Sequence, residues 1–290
     1  MSRLFVTGGT GFVGSNFLNA ATRAGHDIVA LCRPPKSKPR VPLVQQPVWV
    51  ARPMDQTTVD DFADVDVLVH LAAHSANVPY DTLESCLHHN VMTPLAMFRT
   101  ALAAGVKRFV IAGSCFEYGP AGERYQFIPT DAPLEATLPY PASKAAASIA
   151  FAALASETDA AFSMHRIFQV FGPGESENRL WPSLMRAAKL GEDFECTEAT
   201  QVRDFVHVTE VARQLLTTVD RPGVPGTMSV HHVGTGQPQT LRRFIEHWWQ
   251  AFGGTGTVHF GAKPQRDGEV MRYVPEIASV LRDPFDRGWQ

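Results

Sequence analysis

Cysteine is scarce in this chain. Four thiols in 290 residues, Cys32, Cys86, Cys115 and Cys196, stand far apart with no CxxC pair. That spacing fits reduced thiols better than a disulfide framework or a zinc site. No apolar run approaches the ~20 residues that a bilayer-spanning helix needs, and the first expected strand begins at Arg3, which leaves no space for a signal or transit peptide. The expected compartment is therefore the cytoplasm. There is no run of basic residues, and a formal charge of -3 with both signs interleaved gives no electrostatic reason to expect nucleic acid or a membrane surface as partner. Internal repeats and low-complexity segments are missing too.

What is present is 44% hydrophobic content, enough for a full core. Short apolar runs at Leu4-Thr7, Ile28-Leu31, Val48-Val50, Val67-Leu71, Phe109-Ala112 and Phe162-Phe168 read as buried strands. Helix-length stretches separate them, with helices expected near 12–24, 82–104 and 141–156. This βαβ order predicts an α/β protein with a Rossmann-type, doubly wound parallel sheet covered on both faces. Beyond about residue 170 the pattern loosens, and glycine and proline pairs such as Pro222-Gly223 and Gly253-Gly254 punctuate shorter elements. We expect a dinucleotide-binding domain over 1–170 and a smaller C-terminal substrate-binding lobe over 171–290, some of whose elements return to the main sheet. Helices near 180–190, 208–219 and 240–252 belong to it, and the two parts are expected to pack as one unit with a cleft between them.

The first strand runs into VTGGTGFVG, Val6 to Gly14. A strand, a glycine turn and then a helix opening with Phe12-Val13-Gly14 is the context in which backbone N–H groups approach a pyrophosphate at a helix N-terminus. Gly8, Gly11 and Gly14 give GxxGxxG where the usual fingerprint is GxGxxG. A plain glycine hairpin is the alternative, and the surrounding βαβ order weighs against it. The choice of cofactor is made about 20 residues on, where a carboxylate accepts from a ribose 2′-OH and an arginine suits a 2′-phosphate. The second strand ends Leu31-Cys32-Arg33, with no acid. NADP(H) is favoured over NAD on that basis; the other reading is that Arg33 and Lys36 solvate a loop.

Tyr140 and Lys144, in Tyr140-Pro141-Ala142-Ser143-Lys144, lie four residues apart near the start of a predicted helix and so face one side. A tyrosine with a pKa of about 10 is a poor acid–base group at neutral pH unless a cation stabilises its phenolate. Lys144 is placed to supply one. Ser114, at the end of the strand Phe109-Ala112, reaches the same cleft and can hold a substrate oxygen. A Tyr and a Lys at this spacing are, taken alone, more often surface residues.

They are not alone. TGGTGFVG, then HLAA at His70-Ala73, then SCFEYG at Ser114-Gly119, then YPASK resembles the extended short-chain dehydrogenase/reductase family, in order and at the expected separations. Arg203-Asp204-Phe205-Val206-His207-Val208 is similar to the RDxxHVxDxA segment of that family's nucleotide-sugar branch, and Gln265-Arg266-Asp267-Gly268-Glu269 to its RxGE segment. The resemblance implies that Tyr140 is the general acid–base, that Lys144 binds the nicotinamide ribose and tunes the tyrosine, and that Ser114 orients the sugar oxygen. It also places Gly8, Gly11, Phe12, Val13, Gly14, Leu71, Ala72, Ala73 and Asn90 around the cofactor, with Asp55 near the adenine. Arg179, Arg203 and Arg266 would hold the nucleoside diphosphate of the substrate, with Cys115 and Gln169 beside the sugar. A homodimer through helices near 88–104 and 141–156 is a further implication. No metal site is expected, since the pairs His88-His89 and His231-His232 lack companions.

Within that branch the residues separate the reactions. In 4,6-dehydratases carboxylates follow the catalytic Ser/Thr at the next one or two positions; here those are Cys115 and Phe116. Combined epimerase-reductases carry a cysteine two residues after the serine, whereas Cys115 is one residue after it, a step that turns the side chain to another face. NAD-using 4-epimerases usually present an aspartate after the second strand. The expectation is an NADPH-dependent reductase of a nucleotide-linked 4-keto-6-deoxysugar, and FEYG at Phe116-Gly119 is similar to reductases that make CDP- or dTDP-linked deoxysugars. An NAD-dependent 4-epimerase and a non-catalytic NADP(H) sensor are the rivals.

Overall fold

Along the first strand Leu4 and Val6 pack into one hydrophobic cluster and Phe5 into another. A strand buried on both faces in this way belongs in the middle of a sheet covered by helices. The computed structural model describes residues 1–34, 37–265 and 268–277. Its first half is β1 (Arg3–Thr7), α1 (Phe12–Arg23), β2 (Asp27–Cys32), β3 (Val48–Ala51), β4 (Val67–His70), α2 (Leu83–Leu87), α3 (Thr93–Ala103), β5 (Arg108–Ser114), α4 (Pro139–Ser156) and β6 (Ala161–Ile167). Each strand expected from the sequence is present within a few residues of its expected bounds.

The later chain gives β7 (Gln169–Phe171), α5 (Leu180–Leu190), β8 (Phe194–Glu195), β9 (Val202–Arg203), β10 (Phe205–His207), α6 (Val208–Val219) and β11 (Met228–Val233). It ends with β12 (Gln239–Thr240), α7 (Leu241–Ala251), β13 (Val258–His259) and β14 (Arg272–Tyr273). The main sheet has seven strands in the order β11-β6-β5-β4-β1-β2-β3, with parallel pairing throughout. It is a Rossmann-type α/β fold. Strand order reverses between β1 and β4, so the crevice outside the carboxyl ends of the strands opens there.

Two layers of helix seal the sheet. Met97, Phe98 and Ala101 of α3 and Phe151 and Leu154 of α4 cover one face, where Phe109 and Phe162 stack with ring centroids 4.4 Å apart. Phe17, Leu18 and Ala21 of α1 and Val211, Leu215 and Val219 of α6 cover the other. Thus α6 and β11 from the later chain belong to the main layer, while Phe171, Trp181, Phe205, Phe244 and Trp248 form a separate aromatic cluster around α5 and α7.

The single helix expected over 82–104 contains a π turn at His88–Met92. Pro94 supplies the reason: it has no N–H to give the Asn90 carbonyl, so the ladder widens ahead of it. In α4 the prolines fall at 139 and 141, inside the first turn where the N–H groups have no helical partner anyway.

Between β1 and α1 the chain leaves no room for side chains. A Cβ on Gly14 would lie 2.0 Å from the Gly8 carbonyl oxygen, and one on Gly8, whose φ is +72°, would lie 2.6 Å from the Ala72 nitrogen. Gly14→Ala must therefore push the first turn of α1 off the loop. The expected result is a loss of about 1–3 kcal/mol in chemical denaturation together with loss of dinucleotide binding; wild-type melting and binding would contradict this packing.

Candidate active site

At the carboxyl edge of the sheet lies a cleft of about 950 Å³, a size suited to a dinucleotide and part of a second ligand. One end is the glycine turn. Gly8, Gly11, Phe12, Val13 and Gly14 line it, and α1 follows Gly11, which gives it no side-chain cap. Its first-turn N–H groups are thus left for an anion, which suits a pyrophosphate. Below the turn the Thr7 hydroxyl meets His70 Nδ1 at 2.8 Å and accepts from Ala72 N at 3.3 Å. Burial pushes His70 down to about 3, so it is a neutral imidazole that ties β1 to β4. Leu71, Ala72 and Ala73 form the adjoining wall.

At the other end Ser114, Tyr140 and Lys144 come together, all buried and all lining the cleft. The Ser114 hydroxyl faces the Tyr140 phenol and accepts from Phe116 N at 3.2 Å. Burial first, and the Glu117 charge second, hold the phenol well above its ordinary value. The Lys144 ammonium donates to the Ala112 carbonyl at 2.6 Å; burial lowers its pKa and Glu117 raises it. Tyr80 closes the other side of Tyr140, with ring centroids 5.7 Å apart.

The remaining residues divide. Arg33 is exposed on the cleft wall after β2, and Lys38, Arg40 and Asp55 also line the cleft. Gln169 and Arg179 line it as well, and Arg179 Nε lies 3.5 Å from Glu175 Oε1. Cys115 is on the wall too, but burial pushes its thiol up to about 12, which makes it a poor base.

Two residues sit elsewhere than expected. Asn90 is behind the wall: its Oδ1 accepts from His74 N at 2.8 Å, and its Nδ2 donates to His74 O at 3.1 Å and to Ser143 Oγ at 2.9 Å. The π turn aims this side chain inward, so it braces the loop and α4 instead of facing the cleft. Arg203 is turned onto Glu269, 3.6 Å away, and donates to the carbonyls of Val202 and Val270. It does not line the cleft. Arg266 lies outside the described residues. Among the described residues, Arg179 is the one of these three arginines that lines the cleft.

Residues 4–236 match the NAD dependent epimerase/dehydratase family. The chain belongs to that family. Among curated proteins it is 24% identical to the CDP-abequose synthase of Salmonella muenchen, over 97% of this chain and 91% of that one. It is 26% identical to the UDP-glucose 4-epimerase of Neisseria meningitidis serogroup B (strain ATCC BAA-335 / MC58), over 100% and 93%. Among solved structures, MoeE5 in complex with UDP-glucuronic acid and NAD superposes with a TM-score of 0.80 at 26% identity, over 95% of this chain and 90% of that one. Membership places the chain among enzymes that work with a nicotinamide dinucleotide.

Several site residues of this family member escaped the sequence reading. Glu175 follows the Gly172-Pro173-Gly174 turn, lines the cleft, and is pushed up to about 7 by burial. His88 and His89, read as solvated or packed residues, also line the cleft. In the RDFVHV segment Asp204 is a fully buried staple, accepting from Thr235 N at 2.9 Å and from Gly236 N at 2.5 Å. Among the described residues no group of three or more His, Cys, Asp or Glu side chains could hold a metal ion, and no helix is long and apolar enough to cross a membrane.

Because Asn90 joins the His74 loop to α4, Asn90→Ala leaves the His74 backbone unpaired. A cost of about 1–3 kcal/mol is expected in denaturant unfolding, with weaker cofactor binding in a fluorescence titration; an unchanged midpoint would show that the loop is held by something else.

Proposed function

We propose that this chain is an NADPH-dependent reductase of a nucleotide-linked 4-keto-6-deoxysugar. The observation that carries the reading is the buried, neutral Tyr140, beside Ser114 and one helical turn from Lys144, at the inner end of a dinucleotide-sized cleft. A phenol that keeps its proton suits reduction, in which a carbonyl oxygen must be protonated. When bound, NADPH supplies a hydride to the C4 carbonyl carbon. Tyr140 donates its proton to the oxygen, Ser114 hydrogen-bonds that oxygen, and Lys144 holds the nicotinamide ribose and stabilises the phenolate left behind.

Support for NADPH over NADH comes from the end of β2, where Arg33 lines the cleft and no carboxylate stands at the place that would receive a ribose 2′-OH. The likeness to CDP-abequose synthase supports a reductase. Neither Cys115, neutral and buried, nor Phe116 offers the acid–base group that a dehydration needs. For the substrate, Arg179 is the diphosphate contact, Gln169 is the sugar contact, and the lobe beyond residue 170 holds the nucleotide. Arg203 joins Arg179 if the Glu269 contact opens. The second reading is an NAD-dependent nucleotide-sugar 4-epimerase, favoured by the likeness to UDP-glucose 4-epimerase and to an NAD complex. A homodimer through the helices near 88–104 and 141–156 fits the exposed Met92 and Ile149, and a cytoplasmic location fits the cysteine usage.

Tyr140→Phe is expected to abolish turnover of a nucleotide-linked 4-keto-6-deoxysugar while leaving dinucleotide binding intact; retained turnover would remove the tyrosine from its role. Chromatography of nucleotide released on denaturation, followed by titration of the emptied protein with NADPH and NADH, tests the cofactor. Preference for NADPH that falls about tenfold in Arg33→Ser, the loss of one charge-assisted contact of about 1.4 kcal/mol, supports the reductase. Stoichiometric, tightly held NAD⁺ supports the epimerase. Light scattering that gives a monomer mass would remove the dimer.

A further inference from the structure

Tyr140, Lys144 and Ser148 follow one another at four-residue intervals on α4, so their side chains form one stripe along the helix. The stripe faces the end of β5. There the Ser148 hydroxyl donates to Glu117 Oε2 at 2.6 Å, and Glu117 Oε1 accepts from the Ser114 backbone N–H at 2.8 Å. Glu117 is fully buried and stands behind the cleft wall. Arg166 of β6 holds it with an Nε contact of 2.9 Å and is itself anchored on the Tyr118 hydroxyl and the Thr130 carbonyl, each at 2.7 Å. Tyr118 meets His232 of β11 at 2.6 Å. One carboxylate thus bridges the residue that bears the hydroxyl and the helix that bears the phenol and the ammonium.

We propose that Glu117 is a positioning residue of the acid–base site: its buried carboxylate, held by Arg166 and Ser148, fixes Ser114 against the Tyr140–Lys144 face of α4 and sets one negative charge behind that face. A phenolate formed beside a buried anion is opposed by it across a low dielectric. The groups that face Tyr140 are Ser114, Cys115 and Glu117 from the end of β5 and the turn after it, Lys144 from α4, and Tyr80 from the segment before α2. Of these Glu117 carries the negative charge. Those that face Glu117 are Arg166, Ser148, Tyr118 and Lys144, with His232 behind Tyr118. Burial and Glu117 act on Tyr140 in the same direction, while Glu117 opposes burial at Lys144, so the carboxylate favours a neutral phenol beside a charged amine. Reduction starts from the protonated phenol and oxidation of an alcohol from the phenolate. Glu117 therefore favours the reductive direction, a consequence that rests on the reductase reading; the tie between β5 and α4 does not.

The test uses protein labelled with 13Cζ-tyrosine and saturated with NADP⁺, or with NAD⁺ if that is the form it retains. The Tyr140 resonance is identified by its loss in Tyr140→Phe and followed against pH. Glu117→Gln is expected to lower the ionisation midpoint of Tyr140 by about one pH unit or more, while Glu117→Asp, which keeps the charge, leaves it within a few tenths. If Glu117→Gln does not fold because Arg166 loses its partner, Glu117→Gln/Arg166→Met removes both buried charges and must still show a fall, made smaller by loss of the Arg166 cation. A midpoint unmoved by loss of the charge, or moved as far by Asp as by Gln, overturns the proposal. In turnover of the keto sugar, the basic limb of the kcat profile should move to lower pH in Glu117→Gln and stay in place in Glu117→Asp. A wild-type protein that turns over no keto sugar but still shows the tyrosine shift would refute the reductase reading and keep the role of Glu117.

Discussion

Parallel pairing is the constraint on which the rest of this molecule depends. Val6 pairs with Ala30 on one side and Val69 on the other, Val69 with Val110, and Val110 with Ser163. Strands that run the same way end at the same edge, so the segments that follow them are gathered there whatever their distance in sequence. The glycine turn after β1, Arg33 after β2, the Leu71-Ala73 wall after β4, Ser114 at the end of β5 and Gln169 after β6 all line one cleft for that reason. An antiparallel sheet would send half of them to the opposite edge.

Helices add what strands cannot supply. α1 points its uncapped N-terminus at the cleft, and α4 brings a phenol, an ammonium and a hydroxyl to one face. That face needs something to meet, and the turn after β5 provides a carboxylate held by an arginine from the neighbouring strand. A buried ion pair of this kind contributes little to stability by comparison with an apolar pair of similar size. It gives geometry and charge at a defined place, in a region where water cannot screen either. The neutral His70 below the glycine turn and the Asn90 bracket behind the wall do the same for the cofactor end by hydrogen bonding.

How much of this was legible beforehand follows from the range of each interaction. Strand periodicity, the GxxGxxG turn and the four-residue step from Tyr140 to Lys144 are local, and the elements they predict are present. The π turn had a local cue in Pro94, but a helix that absorbs a proline and one that breaks at it look alike until the flanking packing is known. Arg203 shows the opposite limit: its motif marks an arginine near a substrate, yet its direction depends on Glu269 and the Val270 carbonyl, far along the chain.

By itself the sequence determined the alternation of strand and helix, the parallel sheet that such alternation requires, and the residue types that come to its carboxyl edge. Only the tertiary structure decided which of those residues face the cleft and in what protonation state. Glu117 reads as one acid in a loop until Arg166, 49 residues on, meets it in the core. Burial and the company of distant charges are properties of three-dimensional packing, and they set whether a tyrosine in such a site gives a proton or takes one.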